Sequence, residues 1–437
     1  MSEQPGETPD EGKNPFKGTP FEQIFGAFAA GPAGATPGMP DLNQLFSQLQ
    51  FLMQPHDGPV NWDFVLDTAR KVVAQSPDPS PTQKQKDAVA DAVRLADHWL
   101  DTTTEFPSGV TSAAAWSRAE WVVGTTDVWK VLVEPIAESS VQALGGALPE
   151  EATMAGPLLG ILGKAVGGML ASQVGSGLGG LASEVLSVSD IGLPLAAPGQ
   201  AAIVWTNVAE FAAGLDVTED DVLLYLALRE AAHQRLFAHV PWLREHLIDA
   251  VAEYARGIEV NAQGLQAKIE EQMQGIDPTN PESMQALLDG GMFDLPRSAA
   301  QDAALQRLEV TLALVEGWVD EVVGQATAER MPAAAKLQEA FRRRRAAGGP
   351  AEQTFATLVG LELRPRRLRD ASTLWGSLRT RQGTEARDGV WMHPHLLPTA
   401  ADLDDPLGFR EDATALPALD DADFDAELKK LLDGPTE

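Results

Sequence analysis

Leu223–Leu247 reads LLYLALREAAHQRLFAHVPWLREHL, and the organisation of the chain is best worked outward from it. Its apolar residues recur at helical spacing, Pro241 breaks the run, and a second helix follows. Asp216 or Thr218 starts the first helix, and the acidic residues that follow suit the positive end of a helix dipole. At its centre stands Arg229-Glu230-Ala231-Ala232-His233. Residues four apart share one face of a helix, so positions 229 and 233 point the same way.

The composition is that of a globular chain. Its 437 residues are 44% hydrophobic, enough for a substantial core, and they include no cysteine. Disulfides and thiolate metal sites are thereby excluded. A net charge of -30 argues against general nucleic-acid binding, which needs a basic footprint. The opening MSEQPGETPDEGKNPFKG lacks a basic-then-apolar leader, so a cytoplasmic location is expected.

Three regions are expected: a disordered arm over 1–55, a mainly α-helical domain over 56–400, and an acidic, mostly flexible tail over 401–437. The arm mixes Gly, Pro and Ala with isolated apolar clusters such as Phe21, Ile24 and Phe25, and a short helix is expected around Leu42–Met53. Asn61 is a good cap for a first helix, and a second runs from about Thr82 to Thr102. Ala113–Leu144 reads as two helices whose Trp116, Trp121 and Trp129 anchor a core. Gly156–Leu186 is glycine-rich, but Lys164, Gln173 and several serines interrupt it. A close-packed buried helical hairpin is expected there, with no stable membrane insertion. Ala201–Ala213 reads as helix, as do Leu247–Arg256 and Gln263–Gln274, and a Pro/Gly/Asn-rich connector covers Gly275–Pro296. From about Ala299 to Glu329 a long helix carries apolar residues on more than one face and should be central. The four arginines at 342–345 read as a solvated or internally paired face. Ala351–Asp388 resumes helical periodicity, and His393 and His395 lie in a loop.

The pentad at 229–233 is the H-E-x-x-H pattern with arginine in the first position. In that pattern two histidines at i and i+4 grip one zinc ion, and the glutamate activates the metal-bound water as general base. A guanidinium has no lone pair to offer a metal. Taken alone, the pattern also fits an amphipathic helix with ordinary polar residues. A second element stands 83 residues beyond His233: Glu316-Gly317-Trp318-Val319-Asp320, which fits E-[GA]-x-x-D. One zinc-peptidase class takes a third ligand from such a glutamate, and the aspartate one turn on orients a histidine ligand.

With both halves in view, the chain resembles the actinobacterial zincin-like metallopeptidase family, often labelled zinc-dependent metalloprotease. The resemblance runs from about Gly58 to Pro406. It is carried by GPVNW, the Trp116–Trp121 stretch, REAAHQRLFAHVPWLREHL, VEGWVD, LVGLELRPRR and LLPTAADLDDP. It implies a mostly helical zincin-like domain with zinc as cofactor and a peptide or protein as substrate or partner. By position, Glu230 matches the general base, His233 and Glu316 match metal ligands, and Asp320 matches the acid behind the ligands.

Arg229 stands where the first ligand belongs, and three accounts of it remain open. His239 lies at the interval of a third ligand in H-E-x-x-H-x-x-G-x-x-H enzymes, with Leu236 in place of the glycine. His246 lies beyond Pro241 and matches no template. Alternatively, Arg229 replaces the metal by pairing with Asp320 and Glu316, which would neutralise the buried acids without zinc. The functional expectation is a zincin-like metallopeptidase homologue. Its alternatives are a catalytically silent pseudo-peptidase that binds peptides or a partner, and a scaffold that works through its arms and glycine-rich segment.

Overall fold

The computed structural model describes residues 58–146, 156–256, 298–346 and 367–410, all within one unit of the chain formed by His56–Val260 and Arg297–Glu437. The expected arm, the helix at Gln263–Gln274, the connector after it, the LVGLELRPRR segment up to residue 366 and the tail beyond 410 lie outside the described residues. Within them the chain is mainly helical, as the periodicity predicts.

Capping side chains set where the helices begin. Asn61 accepts from the Phe64 N–H at 3.1 Å and opens α1, Trp62–Val73. Thr82 and Gln85 cap each other reciprocally at the start of α2, Gln83–Leu100. Ser117 and Glu120 do the same for α3, Arg118–Gly146. Thr218 accepts from the Asp221 N–H at 3.1 Å and starts α6, Glu219–His239. Pro241 then opens α7, Pro241–Arg256, where its missing N–H costs nothing. Ser298 and Gln301 cap α8, Ala299–Thr327. Further along come α9, Ala334–Ala346, α10, Leu368–Gly389, and the short α11, Ala400–Asp404.

The structure corrects three expectations. The glycine-rich stretch is one helix, α4, Gly156–Glu184, and not a hairpin. Among the described residues no helix is long and apolar enough to cross a membrane. Ser112–Trp116 forms strand β1 ahead of a single helix, where the spacing predicts two helices. Likewise Gln200–Val204 forms β2 before α5, Trp205–Ala213. The two strands pair in parallel from Ser112↔Gln200 to Trp116↔Val204. Alanine-rich segments favour helix locally, and here strand pairing overrides that preference. Ala201, Ala202, Ile203 and Val204 are fully buried, and β2 packs against α6.

Helices α6 and α8 form the centre. Every residue of α6 from Tyr225 to Leu236 is buried, as is every residue of α8 from Thr311 to Val323. Helices buried all round have no polar face, so charged residues on them must find partners inside the protein. Arg235 illustrates this. Its Nε donates to Asp97 at 2.8 Å, Nη1 to the Phe106 carbonyl at 2.8 Å and Nη2 to Asp101 at 2.6 Å, tying α6 to α2.

The hydrogen bond from Arg235 holds the Asp101 carboxyl below its ordinary pKa. A depressed carboxylate contributes stability that is present above the unfolded-state pKa and lost as pH falls through the folded-state value. The stability of an Asp101→Asn variant, followed by urea unfolding across that acid range, is expected to fall less steeply than that of the wild type. Close packing of α1 on α4 gives a second test. A Cβ at Gly179 would lie 2.6 Å from Val72 Cβ and 2.7 Å from the Ala69 carbonyl. Gly179→Val should therefore cost roughly 1–3 kcal/mol by urea unfolding. A Cβ at Gly324 meets only Gln338 Nε2, at 3.6 Å, so Gly324→Ala should leave stability unchanged or raise it by up to about 1 kcal/mol.

Candidate functional site

Helices α6 and α8 bring Arg229, His233 and Glu316 together in the core. Arg229 Nη2 lies 2.5 Å from Glu316 Oε2, and His233 Nε2 lies 2.9 Å from Glu316 Oε1. Both carboxylate oxygens are thus engaged. Glu316 is 0% exposed, His233 2% and Arg229 5%. The other nitrogen of His233, Nδ1, lies 2.8 Å from the Arg229 carbonyl one turn back. With Nδ1–H donating there, Nε2 faces Glu316 as a lone pair unless a proton lies between the two. Nε2, a nitrogen that a metal ligand would present to the ion, is thus turned to a carboxylate oxygen.

Burial works against the charge on Arg229. Burial is the largest single influence, but Glu316, Tyr225, Asp320 and Asp190 together outweigh it, and the guanidinium pKa rises above its ordinary value. The Phe341 ring of α9 lies under the guanidinium at 5.2 Å, a cation–π contact in a dry site.

The remaining site residues are occupied elsewhere. Glu230, fully buried, accepts from the Ser189 N–H at 3.2 Å, the Ser189 hydroxyl at 3.1 Å and the Gln234 amide at 2.8 Å. Burial pushes its carboxyl pKa up. Asp320 does not hydrogen-bond to Arg229. Its Oδ2 accepts from Arg342 at 2.6 Å and from the Ser372 hydroxyl at 2.9 Å. His239 stays at the exposed end of α6, stacked on Phe106 at 6.0 Å. Six further residues of unbroken helix place it about 9 Å along the axis from His233, too far to complete the set. His246 packs edge-on against Trp242 and lies 3.4 Å from the Thr311 hydroxyl.

The segment between α4 and β2 covers this arrangement. Ser189 binds Glu230. Gly192, at φ +79°, lets the backbone pass where a Cβ would sit 3.1 Å from Glu316 Oε1. Arg344 of α9 ties the segment down through Asp190 at 3.3 Å and through the Glu184 carbonyl. The arginine run is thus internally paired at Arg342 and Arg344, and Arg343 meets Glu339 at 2.8 Å. Ser189, Gln234, Arg342, Ser372 and Phe341 are site residues that motif spacing does not reveal. The only hint in the sequence is the arginine run in so acidic a chain.

The metal that the motif implies does not fit these residues. One ligand position holds a guanidinium, and the two ligands left, His233 and Glu316, are bound to each other. Among the described residues no group of three or more His, Asp or Glu could hold a metal ion.

The comparisons place the chain. A family model described as zincin-like metallopeptidase matches residues 60–409, and the chain belongs to that family. Among solved structures, a protein from Chloroflexus aurantiacus, described as a "putative hydrolase with a novel fold", shares the fold at TM-score 0.55 and 19% identity. That match covers 79% of this chain and 96% of the other. No curated protein matches.

Removing one partner of a buried ion pair strands the other. Arg229→Met should cost about 3–5 kcal/mol in urea unfolding. Adding Glu316→Gln should return part of that loss, giving a coupling energy in the double-mutant cycle well above that of an exposed pair.

Proposed function

We propose that this chain is a pseudo-peptidase: a zincin-like metallopeptidase homologue that keeps the fold, holds no zinc and cleaves no peptide bonds. The observation that carries the reading is the double engagement of Glu316, with Arg229 on one oxygen and His233 on the other. Hydrolysis in this family's manner needs a metal-activated water beside a glutamate base. In this chain the corresponding glutamate, Glu230, is bound to Ser189 and Gln234 within the core. Arg229, Glu230, His233 and Glu316 are all buried, so a peptide has no route to them while the segment around Ser189 stays in place. On this reading the scaffold serves to bind a peptide or protein partner, and the ion pair preserves its shape.

The alternative, a working metallopeptidase, requires Arg229 to leave Glu316 and another group to enter as ligand. Elemental analysis of the purified, untagged protein separates the two, with an Arg229→His variant measured beside it. The expected result is zinc far below one ion per chain in the wild type and clear uptake in the variant, which regains a histidine four residues before His233. Near-stoichiometric zinc in the wild type would overturn the proposal.

A further inference from the structure

The connection between α4 and β2, residues 185–199, carries no helix and only one isolated strand bridge, at Ser187. Connections of that length without structure of their own are uncommon in compact domains, and those that occur are usually functional. This one runs through the core, where Val188, Leu193 and Leu195 are buried and Ser189 is 0% exposed. Its backbone groups must therefore find partners inside the protein.

The partners they find are those of a bound peptide. Leu186–Val188 lies antiparallel to β2, on the edge that β1 does not take. The Val204 N–H donates to the Leu186 carbonyl at 2.9 Å, and the Val188 N–H to the Ala202 carbonyl at 3.0 Å. The next residue, Ser189, turns both its N–H and its hydroxyl to Glu230. Three residues on, the Gly192 backbone lies against Glu316, where a Cβ would sit 3.1 Å from Oε1. Addition to a sheet edge through main-chain hydrogen bonds is a recurring way of holding an extended peptide. A peptide that reached Glu230 and Glu316 would need the space these residues fill.

Two arginines hold the segment from outside. Arg344 of α9, with a side chain 21% exposed, binds Asp190 and the Glu184 carbonyl. Arg244 of α7, half-buried, donates to the Pro194 carbonyl at 3.3 Å. Between these points the segment bonds to itself in local turns, with the Gly192 N–H on the Ser189 carbonyl at 2.8 Å and the Leu195 N–H on the Leu193 carbonyl at 3.0 Å. The ion pair takes its cation from α6, while the segment takes its cations from α7 and α9.

We propose that residues 186–196 are an internal occupant of the peptide site, held there by Arg344 and Arg244, and that a partner peptide binds in their place when those two contacts release. The inference rests on the reading of this scaffold as a peptide binder. The partner it selects is an extended apolar peptide with small residues where Ser189 and Gly192 now stand. β2 offers such a peptide backbone groups, and Glu230 takes a donor from it.

The test compares the full chain with its Arg344→Ala variant and with the double variant Arg244→Ala, Arg344→Ala. The probes are a fluorescein-labelled synthetic peptide of residues 186–196, LSVSDIGLPLA, and a scrambled peptide of the same composition. In the double variant, amide hydrogen exchange over 186–199 is expected to be about tenfold faster than in the wild type, while α6 and α8 keep their wild-type rates. Fluorescence anisotropy is expected to show the labelled peptide binding that variant about tenfold more tightly than it binds the wild type, and the scrambled peptide gaining nothing. Unchanged exchange in α6 and α8 also shows that the fold is kept, and if the double variant fails that check, Arg344→Ala alone carries the test. Exchange over 186–199 that rises only together with α6 and α8, or not at all, would make the segment ordinary core and overturn the proposal. So would a peptide that binds variant and wild type alike. Near-stoichiometric zinc in the wild type would overturn the pseudo-peptidase reading and leave both of these readouts standing, so the two failures are distinguishable.

Discussion

Glu316 is a carboxylate with 0% exposure, and a buried negative charge must be neutralised where it stands. Arg229 does this from α6 at 2.5 Å, so the two central helices are joined at the point where neither can reach water. The bond cannot be lost cheaply from one side. The desolvation cost of both groups has already been met, and removal of either leaves the other without compensation. Much of the surrounding structure can be understood as what keeps this pair dry and in register.

That enclosure comes from three directions. From α9, Phe341 lies under the guanidinium, Arg342 takes Asp320, and Arg344 holds Asp190 and the Glu184 carbonyl. From α10, Ser372 supplies a second donor to Asp320 and leaves that carboxylate committed away from Arg229. From the segment before β2, Ser189 occupies Glu230 and Gly192 lets the backbone pass against Glu316. The arginines thus divide the acids one to one, with Arg229 on Glu316 and Arg342 on Asp320. Two cations competing for one carboxylate would leave another acid buried and bare.

The helices were legible because their signals are local. Asn61, Thr82 and Thr218 each cap within three residues, and a proline opens α7. The central position of α8 was legible too, because its apolar residues run round the helix. The strands were not, because Ala113–Ala115 and Ala201–Ala202 carry no strand preference and become strand by pairing across 88 residues. Both halves of the site pattern could be placed on their helices from spacing alone. Which arginine meets which acid could not, because Arg342 reaches Asp320 only once α9 has folded back over α8. Nor does any motif mark the segment around Ser189 as the source of donors to Glu230, since any serine in a loop would look the same.

The geometry of the cation matters as well as its charge. Glu316 needs a positive charge at its carboxylate, and the guanidinium brings one to Oε2 at 2.5 Å while its face lies on Phe341 at 5.2 Å. Lysine would supply the charge as a compact point, without the planar group that can lie on Phe341 while one amino group reaches Glu316. Arginine suits the position because it neutralises Glu316 and, through its contact with an aromatic ring, supplies part of the packing around it.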